Sequence, residues 1–207
     1  MRTFDFRWTA IVAALAVVAT AGAFWSPSLR DALVADQRIF DGQWWRLVTG
    51  PFVHATPGHL VRDLALVAIA GVAYEGPLAS HKLPLFAGGV ILPALGVLVA
   101  RDAAWYCGLS GLSHALLAAA LSYEVVRRRD AARAVVLALC AIAAAKPIYE
   151  LATGAPAFAM SLGDGVVQVP LAHVVGVLVG IACGLAAGGH SMSATYRMNS
   201  SGKPALR

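Results

Sequence analysis

Ser110 and His114 lie four residues apart in WYCGLSGLSHALLAAAL (105–121), a stretch otherwise suited to hydrocarbon. His59 and Asp63 share the same spacing in a second apolar run, and His173 stands near the start of a third. Hydroxyl, imidazole and carboxyl groups are costly inside a membrane, so each marks a candidate site. A serine hydroxyl is a weak nucleophile until a base removes its proton, and a neutral imidazole is the usual base. Ser110 with a histidine could therefore attack a carbonyl, provided other donors hold the resulting oxyanion. His114 falls on the same helical face as Ser110. His173 needs a second helix to bring it near, and the sequence supplies one device for that. It precedes Gly176 and Gly180 in HVVGVLVG, a small-residue ridge that allows close packing on a span offering Gly111, Ala115 and Ala118. His173 is accordingly favoured as base, with His114 shaping the pocket. The plainer reading is a serine bonded to its own backbone and glycines that only pack.

These groups must be carried by membrane helices. The chain has 207 residues, 59% hydrophobic and only 13% charged, with a mean hydropathy of +0.71. Soluble domains carry about 25% charged residues, so the composition indicates one membrane domain over residues 1–207. Six apolar segments, roughly 9–25, 59–76, 83–100, 109–126, 131–151 and 170–189, are each long enough to cross a bilayer. The expected fold is an all-α, six-helix membrane bundle. The first segment could pass for a signal peptide, but five more spans follow it and it is expected to remain as a helix. Residues 26–58, with Trp44, Trp45 and three arginines, suit the interface, and the Gly- and Ala-rich 152–169 connection suits a mobile gate.

The net charge of +5 does not indicate nucleic acid, because the basic residues sit between apolar runs and no aromatic platform accompanies them. With the N-terminus inside, ten Lys and Arg fall on the inner side, including Arg127, Arg128, Arg129 and Arg133. Five fall outside: Arg30, Arg38, Arg46, Arg101 and Lys146. Both termini are thus expected in the cytoplasm, which puts His59, Asp63, Ser110, His114 and His173 at one outward depth. Cys107, Cys140 and Cys183 show no ligand spacing and read as small buried hydrophobes. His54, His81 and His190 lie near loops and read as interfacial.

At these residues the chain resembles the rhomboid family of intramembrane serine proteases. WWRLVTGPFVH resembles the family's Trp-Arg segment, with Trp45 and Arg46 as the pair. HATPGHLVRDLALVAIAGVAYE resembles its histidine-rich second helix, with His54, His59 and Glu75 in register. GLSG at 108–111 resembles the nucleophile motif, and AHVVGVLVG at 172–180 the base-bearing helix. Within the family, the histidine four residues after the serine is most like rhombosortases. That resemblance implies a bacterial inner-membrane enzyme whose site faces the periplasm. Its implied partners are membrane-anchored exported proteins ending in a glycine-rich motif, a transmembrane segment and a basic tail.

The implied mechanism is a Ser110–His173 dyad, with no carboxylate visible as a third member and no metal or cofactor required. The backbone N–H groups of Ser110 and Leu109 and the side chain of His59 would hold the oxyanion. Gly108 and Gly111 would let the chain turn and the substrate approach. Asp63 departs from the family, where an asparagine is common at that position. An ionised carboxylate cannot donate to an oxyanion, so Asp63 is neutral, or orients His59, or the oxyanion contacts differ; the second is preferred. Two rivals stand beside this reading: an inactive rhomboid-like binder of membrane helices, expected to have lost Ser110 or His173, and a small transporter, expected to show broken helices and inverted repeats near the midplane.

Overall fold

The computed structural model describes residues 6–155, 157 and 168–200, with 191–200 described by backbone alone. In chain order the helices are α1 (Arg7–Trp25), α2 (Pro27–Leu33), α3 (Arg46–Thr49), α4 (Pro57–Tyr74), α5 (Lys82–Ala100), α6 (Ser110–Arg127), α7 (Ala132–Thr153) and α8 (Pro170–Ser200). Two short strands, β1 (Ala35–Asp36) and β2 (Trp105–Tyr106), pair antiparallel with Ala35 opposite Tyr106. The six long helices follow the six apolar segments within a few residues. Only α8 departs, running on through Ser200, because nothing from 190 to 200 is a proline or glycine.

Four stretches are long and apolar enough to cross a membrane: Arg7–Trp25, Ala79–Ala100, Ala132–Thr153 and Pro170–His190. The two remaining long helices, α4 and α6, have 18 residues each and carry the polar groups of interest, which lowers their hydropathy. The chain is a multi-pass integral membrane protein. Large apolar side chains such as Val18, Ile69 and Ile142 are exposed, as lipid-facing positions require.

Lipid tails are as apolar as leucine, so helices here associate through close packing rather than through exclusion of water. The glycines show where. A Cβ on Gly176 would collide with the carbonyl of Gly111, one on Gly180 with that of Ala115, and one on Gly184 with that of Ala119. Backbone therefore rests on backbone at three successive turns of the α6–α8 contact. On its other faces α6 packs Leu112 and Leu116 against Val67, Leu85 and Phe86. Ten of its residues are buried, which makes it the central helix.

Polar contacts fix the ends. The first turn of α1 has N–H groups without intrahelical partners. The buried Glu75 carboxylate, at the end of α4, accepts from Trp8 N (2.9 Å), Thr9 N (2.8 Å) and Thr9 Oγ1 (2.8 Å). In the first long connection Arg46 is buried rather than interfacial. Its guanidinium donates to the carbonyls of Asp31 and Val34 and to Gln43 Oε1, tying α2, β1 and α3 together. The β1–β2 pair then links this connection to the segment just before α6. Thr56 caps α4 by accepting from His59 N at 3.1 Å, with Pro57 at the first helical position.

Candidate active site

One end of the bundle gathers the polar groups around a cavity of about 150 Å³. Its walls come from the starts of α4 (His59, Asp63), α6 (Ser110, His114) and α8 (His173), with Lys146 from near the end of α7. Each of these helix ends is set by features already described, so the site inherits its geometry from the glycine contacts and caps.

The turn before α6 is the most constrained part. Gly108 has φ +100°, in the left-handed region, and a Cβ there would stand 2.6 Å from His59 Cε1 and 2.7 Å from Nε2. Only glycine meets both demands. Gly111 serves a different purpose from the one its sequence position suggests. It lies inside α6, and a Cβ would meet Pro93 of α5 at 2.5 Å, so its small size admits α5 and α8 rather than a substrate.

Ser110 is the first residue of α6. The first N–H groups of a helix have no intrahelical acceptor and carry partial positive charge, which suits a developing oxyanion. The Ser110 carbonyl accepts from His114 Nδ1 at 2.7 Å and from Ser113 Oγ at 2.9 Å. One nitrogen of His114 is thus committed to backbone. Its ring stacks on His173, with centroids 4.2 Å apart and planes 11° from parallel. The two candidate bases are therefore in face-to-face contact, both lining the cavity with Ser110.

His59 and Asp63 are close as i and i+4 neighbours: Nε2 lies 3.3 Å from Oδ2. The same oxygen lies 3.3 Å from His54 Nε2, although neither approach is aligned as a hydrogen bond. His54 is not interfacial. It is 2% exposed, its Nε2 accepts from Leu109 N at 3.3 Å, and its Nδ1 faces Thr20 Oγ1 at 3.1 Å, which in turn donates to Phe52 O. An accepting Nε2 assigns the proton to Nδ1. The Leu109 N–H consequently has a partner already.

Three further residues belong here that the sequence reading missed. The hydroxyl of Tyr106 faces the Ser110 side chain and the Gly111 backbone; burial pushes this phenol well above its ordinary value, so it stays protonated. Glu150 on α7 is 1% exposed, with Oε2 2.8 Å from Lys146 Nζ and 3.5 Å from His173 Nδ1, and Oε1 accepting from Ala157 N at 3.1 Å. Lys146, placed in an outer loop from sequence, is helical and faces the cavity with Glu150. The available signal was KPIYE, a Lys–Glu pair at helical spacing inside an apolar run. Cys107, also at the cavity, has its thiol pushed up to about 12 by burial, which leaves it protonated and a poor rival nucleophile.

Among the described residues no cluster of three or more His, Cys, Asp or Glu is arranged to hold a metal ion. Most of the 152–169 connection assigned a gating role lies outside the described residues.

Fold and site together define a polytopic helical membrane protein with a polar cavity at one end of its bundle. The profile of the rhomboid domain matches residues 41–189, well over half of the chain, and the chain belongs to the rhomboid family. A comparison with curated proteins gave no match.

Proposed function

We propose that this chain is an intramembrane serine endopeptidase with Ser110 as nucleophile and His173 as general base. The observation that carries the reading is the α6–α8 contact. Where Gly176 rests on the Gly111 carbonyl, Ser110 and His173 sit at the adjoining ends of their helices and line one cavity. His173 comes from the helix that closes directly on the Ser110 turn and is taken as the base, while His114, whose Nδ1 donates to the Ser110 carbonyl, is its stacking support.

In this mechanism Ser110 Oγ attacks the scissile carbonyl as its proton passes to His173 Nε2. The imidazolium then gives that proton to the leaving amine, and water reverses the sequence on the acyl-enzyme. The N–H of Ser110 and the side chain of His59 hold the oxyanion, joined by the Leu109 N–H where the oxyanion displaces His54 Nε2. With Asp63 at Nε2, Nδ1 of His59, buried and without a hydrogen-bond partner among the described residues, is the ring nitrogen left to face the oxyanion. Asp63 then orients His59 rather than touching the substrate. The six-span topology, with cytoplasmic termini and a periplasm-facing site in a bacterial inner membrane, follows the Lys and Arg distribution and the family. Substrates of the rhombosortase type, exported proteins with a glycine-rich motif before a C-terminal transmembrane segment, fit the His114 spacing and a small cavity.

Reconstituted protein should label at Ser110 with a fluorophosphonate and cleave a membrane-anchored substrate of that design. Ser110→Ala should abolish both, and His173→Ala should abolish cleavage at unchanged protein levels. Full cleavage by His173→Ala, with loss in His114→Ala, would transfer the base to His114. Absence of labelling and cleavage in the wild type would end the protease reading.

A further inference from the structure

Resting on that reading, we propose that Glu150 is a positioning residue for His173, so that the Ser110–His173 pair works with a carboxylate set behind its base. Several independent features converge on this carboxylate. It is buried at 1% exposure, on a helix that otherwise faces lipid and buries only Val136 and Pro147 besides. Burying a charge on such a helix costs free energy unless the group is paired, and Glu150 is paired at each oxygen. Lys146 holds Oε2 and the Ala157 N–H holds Oε1. These two bonds fix the carboxylate in one orientation, with Oε2 on the Nδ1 side of the His173 ring.

The partner atom is equally telling. His173 Nδ1 is buried and has no hydrogen-bond partner among the described residues, and Glu150 Oε2 stands 3.5 Å from it. That is a few tenths of an ångström beyond a formed N–H···O bond. Catalytic hydrogen bonds are often this long before substrate arrives and tighten when it does. The stack of His114 on His173 fixes the plane of the ring but not which nitrogen carries the proton. A carboxylate at Nδ1 decides it: Nδ1–H donates to Glu150, and Nε2 is left with a free lone pair for the Ser110 proton. When that proton arrives, the ring becomes a cation beside an anion. Glu150 remains ionised throughout, so one proton moves from Oγ to Nε2 and on to the leaving amine.

The test uses full-length protein in lipid bicelles. Glu150→Gln keeps shape but offers an amide whose NH2 can donate to Nδ1, favouring the wrong tautomer. It should lower kcat about 100-fold or more with KM within about twofold, in line with loss of tautomer control in hydrolytic triads. Glu150→Asp should recover part of that loss. Histidine 15N NMR of the wild type should show His173 protonated on Nδ1 and not on Nε2, and Glu150→Gln should shift that pattern. Wild-type kcat in Glu150→Gln, or a wild-type His173 carrying its proton on Nε2, would overturn the proposal while fluorophosphonate labelling of Ser110 left the protease reading standing. A loss matched by an equal loss of folded protein, with the NMR pattern unchanged, would reduce Glu150 to scaffolding and also overturn it. Failure of the wild type to label or cleave would remove both readings together.

Discussion

The α6–α8 pair and α7 are built on opposite terms. Along α6–α8, backbone meets backbone at Gly176, Gly180 and Gly184, and ten residues of α6 are buried. In contrast, α7 has 22 residues and buries three of them, Val136, Pro147 and Glu150. The first region has almost no room to move. The second is held near its C-terminal end by a proline and a carboxylate, beside an apolar cavity of about 210 Å³ that α7 shares with α6 and α8. The proposed nucleophile and base, Ser110 and His173, thus sit on the stiff pair, where a fixed separation would be needed. Glu150, the group proposed to position the base, sits on the loose helix, where a bound substrate could bring it closer. The division places precision and adaptability on different elements.

The strongest challenge to this contrast is steric. Gly176→Val should cost about 3 kcal/mol, the upper end for overpacking, because the obstacle is a carbonyl and not a side chain. Steric-trap or denaturant unfolding in detergent would measure it, and cleavage should vanish with it. A matched pair of truncations reads the same contrast more gently. Leu116→Ala, at 1% exposure, should cost about 3 kcal/mol. Ile142→Ala on α7, at 68%, should stay within about 0.5 kcal/mol. Equal losses at the two positions would show that α7 is packed as firmly as α6.

Gly108→Ala separates position from stability. The left-handed backbone costs about 1–2 kcal/mol, yet the new methyl group lands on the His59 ring. Turnover should fall about 100-fold, the scale expected for an ångström of misplacement. The smallest effect lies far from both helices. Arg38 hydrogen-bonds Asp31 and so holds its carboxyl below the usual 3.8. A lowered folded value stabilises above the unfolded one and is lost as the pH falls through the folded one. Arg38→Met should therefore flatten the apparent Tm slightly between about pH 4 and 2, with no change near neutrality.

Much of the architecture was open to reading because membrane helices advertise themselves. Length, hydropathy and the glycines of HVVGVLVG each report a local property, and the six long helices lie on the six apolar runs. The site was legible where its residues repeat at helical spacing, as with Ser110 and His114 or His59 and Asp63. It was illegible where contacts cross the chain. His54 looked superficial because its partners, Thr20 and Leu109, lie on either side of it at long range. Tyr106 depends on a two-residue strand pair that no periodicity reveals. Glu150 required the rotation of α7 about its axis, which hydropathy does not give for a helix with so little buried surface.

The Thr20–His54–Leu109 chain bears on how small a working unit can be made. The rhomboid match begins at residue 41, which invites excision of a minimal catalytic piece starting there. Such a piece would lack the threonine that holds the imidazole whose other nitrogen steadies the peptide just ahead of Ser110. The opening helix is for that reason a remote brace of the proposed chemistry as well as of the bundle, and shortening the chain from its amino end should cost stability, through a Glu75 carboxylate orphaned of its α1 donors, together with turnover.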